Sequence, residues 1–239
     1  MAIILPQGRF NNSSDKDIRD YISERCRILA VVGLHGNTFK PHTGTKTSVL
    51  LVQKWNDDPK LGALCPKMED YNIFFATMRK SGKDNSGEKI WKRVFLSSED
   101  GLSEQEKDKE LLQDNHGHLI VDHDLFNHEG MTEDGIAEAF IEFGKKENLS
   151  FFDLSLSVIP FDAEKYQQLM DRLEAVELSL TQVINDNESF RFDSEYFRKN
   201  YIHLLNQIHI LPYKKIEDFA YVTDGIHESI DFDENSFNY

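Results

Sequence analysis

Short apolar runs separated by polar turns dominate the first third of the chain. Ala2-Ile3-Ile4-Leu5-Pro6 is a buried-strand run ending in a proline. A polar stretch from Asp15 to Arg25 follows, with Ile18, Tyr21 and Ile22 three and four apart, which predicts a helix capped by Ser14 with Asp17 as capping-box partner. The continuous runs Ile28–Leu34 and Ser48–Val52 read as strands buried on both faces of an α/β sheet. About a dozen polar residues join them, too few for a crossover helix, so the two should pair antiparallel. A strand beginning near residue 3 of a mostly parallel sheet suggests the second half of an α/β domain whose first half lies elsewhere.

Further along, 57–67 reads as an irregular connection, Asn72–Met78 as a strand, and Ser81–Gly87 as a turn-rich excursion. Residues 97–115 are dense in charge and read as a solvated, mobile insertion. His118–Asp122 is a short strand candidate. Thr132 caps an expected helix with the stripe Ile136, Ala139, Phe140, Phe143. From Asp162, apolar positions at Tyr166, Leu169, Met170, Leu173, Val176, Leu180, Val183 and Ile184 predict one long amphipathic helix of about 24 residues, its stripe a helix-packing seam. Ser194 to Gln207 predicts another helix, and Ile216–Val222 has β character. No internal repeat and no Gly/Ser-rich linker stand out.

Charge changes this picture. The net charge of −15 over 239 residues disfavours a free-standing nucleic-acid binder. Residues 1–60, however, hold nine Lys/Arg against six Asp/Glu, a net of +3, whereas the remainder holds 18 against 36, a net of −18. Any nucleic-acid contact should therefore favour the N-terminal part. No apolar run is long enough to span a membrane, and the opening residues lack a secretory pattern. Cys26 and Cys65 form no motif. Together these features lead us to expect a cytoplasmic protein with reduced thiols.

The N-terminal stretch resembles the C-terminal half of the catalytic domain of adenine-specific DNA methyltransferases, above all the modification subunits of type I restriction–modification systems and fused methylase–specificity proteins. The features that carry the resemblance are Ile4-Leu5-Pro6-Gln7-Gly8, Ile18-Arg19, Val32-Gly33-Leu34, Phe39, Thr43-Gly44-Thr45-Lys46-Thr47 and Ser48–Lys54, in that order. Asn72–Ser81 and His116–Phe126 are also similar to such methylases. Phe190–Phe197 resembles the segment before a target-recognition domain, and Val222–His227 the opening of one. The resemblance implies a partial Rossmann-like methyltransferase sheet with a terminal antiparallel hairpin over residues 1–56. An α+β extension with an acidic mobile insertion (57–160), connecting helices (161–210) and a truncated recognition domain (211–239) would follow. The implied activity is methyl transfer from S-adenosylmethionine to the exocyclic amine of adenine in double-stranded DNA. Family members bind that cofactor through a glycine-containing turn and align the amine with an Asn/Asp-Pro-Pro-aromatic motif. No two prolines are adjacent here and no glycine-rich strand–helix turn is evident. The chain is therefore expected to be inactive alone. Its partners would be duplex DNA and either the missing N-terminal methyltransferase half or a modification or specificity subunit. The alternative is a non-catalytic DNA- or protein-binding remnant of such a system.

By the same resemblance, Phe39 would stack on a base flipped from the duplex, and a loop aromatic covering the core is the competing role. Lys40, Thr43, Thr45 and Lys46 suit phosphate contacts, or simply a polar hairpin connection. Gln7 and Gly8 follow a strand end where open α/β sheets bind ligands, or merely turn the chain. His116, His118, Asp122, His123, Asp124 and His128 match no standard zinc spacing and read as surface residues. Gly225 reads as a turn glycine, beside Asp224 and His227. Neither a Gly-x-Ser-x-Gly elbow nor a cysteine–histidine pairing is apparent in sequence.

Overall fold

A computed structural model describes residues 1–95, 109–127, 133–149, 160–185, 187, 189–212 and 214. The chain divides into two units, Met1–Ile202 and His203–Tyr239. The described part of the second unit is the remainder of a helix ending at Ile210 and a few residues beyond it. The first unit is built on a five-stranded sheet in the order β1-β3-β2-β4-β7. These strands are β1 (Ala2–Pro6), β2 (Cys26–Gly33), β3 (Thr47–Lys54), β4 (Asn72–Thr77) and β7 (Ala175–Ser179). The helices are α1 (Gly8–Asn11), α2 (Lys16–Arg25), α3 (Ile136–Lys146), α4 (Ala163–Arg172), α5 (Leu180–Ile184) and α6 (Lys199–Ile210), and a two-stranded ladder joins β5 (Arg93–Phe95) to β6 (Lys109–Leu111).

The antiparallel pairing of β2 with β3 is as expected, and the β2, β3, β4 and α3 segments fall where the pattern put them. The sheet is mixed rather than mostly parallel: only β2 and β4 are parallel neighbours, and β1 pairs antiparallel with β3. Because β3 is antiparallel to both of its neighbours, β1, β2 and β4 nevertheless share one direction.

Both faces of the sheet are covered. In β4, Phe74 and Ala76 face one apolar cluster, and Ile73 and Phe75 face the other. The first cluster is closed by α3 and α4 through Ile136, Ala139, Phe143, Tyr166 and Leu169. Its opposite is closed by Phe10, Val183, Phe190, Phe192 and Phe197. A bulge between Ile28 and Ala30 lets Leu29 and Ala30 both face the first cluster, while Ile28 and Val31 face the second.

The expected long helix is instead α4, strand β7 and the short α5. Asp162 does cap α4, accepting from the Lys165 amide at 2.9 Å. The chain then straightens, and Ala175 and Val176 turn to opposite faces as residues of a fifth strand. Val176, Leu178 and Leu180 fit a helical stripe and a strand alternation alike, and the open edge of β4 selects the strand. Ser179 then starts α5 through a reciprocal cap with Gln182.

Helix α2 also departs from expectation. Ser14 lies in a 3-10 turn (Ser13–Asp15) and does not cap the helix with its side chain. Ile18 and Tyr21 are exposed, and the fully buried residue is Arg19. Its guanidinium donates to four backbone carbonyls: Phe190 at 2.8 Å, Ser189 at 2.7 Å, Asn12 at 2.8 Å and Arg9 at 3.2 Å. The fixed fork of five N–H groups suits this clamp, which pins residues 189–190 against the start of the chain.

Other expectations shift by a few residues or fall outside the described set. The helix expected from Ser194 starts at Lys199, because Ser194 and Phe197 are spent on the core. His118–Asp122 makes isolated bridges, not a continuous strand, and residues 109–111 of the expected mobile insertion are strand β6. Residues 97–108, Thr132, Ile216–Val222, Asp224, Gly225 and His227 lie outside the described residues.

Arg19→Ala should lower stability by about 3 kcal/mol, because it removes the donor of the buried Phe190 carbonyl, loosens three part-buried ones and opens a cavity under the helix. Arg19→Lys should recover only part of this, since one ammonium cannot reach both ends of the fork. Urea unfolding midpoints check both, and equal midpoints for Arg19→Ala and the parent chain would contradict the clamp.

Candidate nucleic-acid interface

Because β1, β2 and β4 share a direction, their C-terminal ends meet at one edge of the sheet, beside the N-terminal end of β3. The candidate residues gather there. The Gln7 amide donates to the Lys46 carbonyl at 3.0 Å, and that of Leu34 to the Thr47 carbonyl at 2.9 Å, so the segment after β1 and the 35–46 loop are neighbours. Gly8 opens α1, and a Cβ there would lie 3.1 Å from the Asn12 side-chain amide.

Within the loop, Phe39 is half-buried and packs against the first apolar cluster. Pro41 to Lys46 are exposed. Thr43 Oγ1 accepts from the Thr45 amide at 3.1 Å and lies 3.0 Å from Thr45 Oγ1, holding both hydroxyls on the outer surface. Lys40 Nζ would be 3.3 Å from a Cβ at Gly44, so it lies along the same turn. Lys46 Nζ reaches Glu195 at 3.3 Å.

Sequence reasoning missed what braces this loop. Lys83, on the hairpin after β4, donates from Nζ to the carbonyls of Thr38 at 3.1 Å and Lys40 at 2.9 Å, on either side of Phe39. Asn37 returns the contact, donating to the Lys83 carbonyl at 3.2 Å and to Asn85 Oδ1 at 3.1 Å. Gly87 has φ +98°, and a Cβ there would meet the Pro41 nitrogen at 2.7 Å and the Lys40 carbonyl carbon at 2.9 Å. Only glycine allows this backbone-to-backbone approach.

The hairpin is also one of a pair, contrary to the expectation of no internal repeat. Asp84-Asn85-Ser86-Gly87 and Asp114-Asn115-His116-Gly117 form matching turns, bridged at Lys83–Lys89 and Gln113–Leu119. Each aspartate Oδ1 accepts amides across its turn: Ser86, Gly87 and Glu88 in the first, His116 and His118 in the second. Each turn glycine has positive φ. The Ser86 hydroxyl and the turn amides hold the Asp84 carboxyl below its usual range, and the His118 and His116 amides do the same for Asp114. The shared Asp-Asn-x-Gly spacing was the available signal: the sequence pattern marks the first copy as a generic turn, while the second begins in the stretch expected to be a mobile insertion.

His116 and His118 stand on the second turn with ring centroids 6.2 Å apart, His123 lies against Phe126, and His128 is outside the described residues. Among the described residues, no three His, Cys, Asp or Glu side chains are arranged to hold a metal ion.

These features define an α/β protein whose strand ends, at one edge of the sheet, carry a braced loop rich in hydroxyls and amines. The model of the family "N-6 DNA methylase" matches residues 1–121, half of the 239 residues, and the chain belongs to that family. Comparison with curated proteins gives no match. No helix among the described residues is long and apolar enough to cross a membrane.

The family uses S-adenosylmethionine, and the described residues do not fit it. Of the three strands that end at this edge, β2 runs into a loop and β4 into a hairpin. Only β1 leads into a helix, and there the Asn12 side chain sits beside Gly8. Among the described residues this edge presents no glycine-lined cradle.

Two outcomes follow. Gly87→Ala and Lys83→Met should each loosen the 36–46 loop, with Gly87→Ala costing on the order of 1–3 kcal/mol for the positive φ and the clash; faster proteolysis at Lys40 and Lys46 reports the change. The depressed carboxyls of Asp84 and Asp114 favour the fold above their ordinary value of 3.8. That contribution is lost as pH falls through the lower folded-state values. Amide-exchange protection at residues 86–88 and 116–118 should therefore drop on acidification below about pH 4, and protection that persists to pH 2 would contradict it.

Proposed function

We propose that the chain is the DNA-facing, C-terminal part of the catalytic domain of an adenine-specific DNA methyltransferase from a type I restriction–modification system. The parent protein would be a modification subunit or a fused methylase–specificity protein, and its reaction transfers a methyl group from S-adenosylmethionine to the exocyclic amine of adenine. One observation carries the reading: β1 and β2 run the same way with β3 reversed between them, over residues that the N-6 DNA methylase model matches. This is a strand pattern suited to a partial Rossmann-like sheet with its terminal antiparallel hairpin. The loop holding Phe39, Lys40, Thr43, Thr45 and Lys46 then lies with Gln7 and Gly8 at the sheet edge where such a fold meets its substrate. Phe39 would stack on the flipped base, and the hydroxyls and amines would contact phosphates.

Among the described residues strand β1 pairs with β3 alone, and Ile3 and Ile4 in it are 37% and 52% exposed. A polypeptide carrying the cofactor half would cover those side chains and extend the sheet. The chain would supply a wall of the substrate cleft and its coupling to a recognition domain in the second unit. A cytoplasmic location accords with this reading.

Incorporation of labelled methyl groups into duplex DNA tests the proposal. The chain alone should give none. Co-expression with a polypeptide carrying the glycine-rich turn and an Asn-Pro-Pro-aromatic motif should restore it, and Phe39→Ala in the pair should lower it about tenfold or more, as expected for a lost base stack worth ~1–3 kcal/mol. A stable complex of the two that never methylates DNA would favour the non-catalytic remnant.

A further inference from the structure

Two clefts meet at the end of β4. The larger, about 560 Å³, is bounded by His35, Thr77, Arg79, Glu174 and Arg198. Its neighbour, about 400 Å³, shares His35 and Arg79 and continues past Lys80 and Lys83 toward the braced loop. Together they make an open trough leading from Arg198 to the loop that carries Phe39.

The trough is cationic in a chain of net charge −15. The larger cleft is lined by Arg79, Arg198 and Lys199 against the carboxylate of Glu174, and its neighbour by Arg79, Lys80 and Lys83 against Asp84 and Asp122, with Lys80 paired to Asp122. Each cation has a distinct task. Lys199 is committed to the fold, donating to the Asp171 and Leu173 carbonyls at 3.1 and 2.6 Å and also to that of Met170. Arg79 pairs with Glu174, yet 58% of its side chain stays exposed. Arg198 pairs with Glu195 through one terminal nitrogen, while its buried Nε has no acceptor among the described residues. A tetrahedral oxyanion in the trough matches the planar fork of a guanidinium's terminal nitrogens.

The backbone anchors this arrangement. The Arg79 amide donates to Asp124 at 2.9 Å, fixing the turn after β4. Thr77 Oγ1 donates to Ser194 Oγ at 2.9 Å, and Gly33 leaves room for that hydroxyl, since a Cβ there would lie 2.2 Å from it. The segment bearing Arg198 is thereby seated on the ends of β2 and β4.

We propose that the trough is a phosphate-binding track for the backbone of duplex DNA, with Arg198 and Arg79 as its contact residues. The occupant is a polyanion because the trough is open, elongated and continuous with the 36–46 loop, whereas an enclosed pocket would suit a single small anion. This deepens the methyltransferase reading and rests on it. The trough holds the duplex by its backbone, without base recognition, while the loop addresses the extruded nucleotide.

The test is fluorescence anisotropy of the full chain with a short mixed-sequence labelled duplex, between about 50 and about 200 mM salt. Arg198→Ala should weaken binding up to roughly tenfold near 0.1 M salt and flatten the log–log salt slope by about 0.9, and Arg79→Ala/Arg198→Ala by about twice that. Arg198→Lys keeps the charge and should keep the slope while losing part of the affinity, which separates phosphate contact from misfolding; matching circular dichroism confirms the fold of each variant. Lys40→Ala/Lys46→Ala serves as the independent probe of the loop. Should the arginine variants match the parent while the lysine variant weakens, the track is overturned and DNA contact by the loop stands. No binding of the parent chain removes both. Millimolar inorganic phosphate that stabilises the parent but not Arg198→Ala, without duplex binding, would mark a small-anion site and overturn the track.

Discussion

The guanidinium of Arg19 holds the rest of the first unit in place. It is 1% exposed and bonded to carbonyls from both ends of that unit, two near the start of the chain and two around residue 190. A charge so buried is tolerable only if its donors are met, and here four separate carbonyls meet them. The clamp seats Phe190 and Phe192, and the Phe192 amide then donates to the Phe10 carbonyl at 3.0 Å, with the two rings edge to face at 5.4 Å. Without that lid one whole face of the sheet, including Ile73 and Phe75, would be open to water. The Ile-Arg pair that contributed to the family resemblance thus has a physical role, and that role is architectural.

Closing the sheet in this way determines what its edge can present. The segment that covers the second cluster continues through Ser194 to Arg198, so the same residues that complete the core deliver a cation to the ends of β2 and β4. On the other side of that edge, Lys83 spends its charge on two carbonyls and leaves Phe39 between fixed points. The loop is therefore held by a neighbouring hairpin as well as by its own hydrogen bonds, of which the Thr43–Thr45 contacts lie exposed. A loop braced from outside keeps its geometry when its own polar groups are taken up by a ligand, which is the preorganisation that binding rewards.

Much of the sheet was legible because continuous aliphatic runs admit few alternatives: Ile28–Leu34 and Ser48–Val52 could only be doubly covered strands, and a dozen polar residues between them allowed only antiparallel pairing. The candidate loop was legible for the same reason, as the connection between them. What failed did so where one pattern serves two structures. Val176, Leu178 and Leu180 satisfy both a helix seam and a strand, and the decision belongs to β4, whose register partner cannot be seen in local sequence. Ile18 and Tyr21 form a proper helical stripe, yet the helix turns Arg19 inward, because the backbone acceptors that reward its burial come from residues about 170 positions away. Lys83, Arg79 and Arg198 were illegible as site residues, since only the shared direction of β1, β2 and β4 brings their surroundings together.

The pairing of cations with carboxylates at the strand ends bears on how an acidic chain can face a polyanion. Glu174 and Glu195 each satisfy an arginine in the absence of ligand, and Glu174 is also fixed by the Lys199 amide at 2.9 Å. Burial works against ionisation of Glu174, but that amide and Arg79 together hold its carboxyl below its usual range. The Lys199 amide stays on Glu174 when Arg79 turns outward. An arginine leaving such a partner exchanges one oxyanion for another, and the carboxylate keeps a backbone donor. The net cost of recruiting Arg79 is then far smaller than that of freeing an arginine whose partner depends on it alone. Arg198 meets the same condition from the other side, since Glu195 also receives Lys46. Cations of this kind are neutralised at rest, which spares an acidic protein an isolated positive patch, and are released only when a phosphate stands ready to take the carboxylate's place.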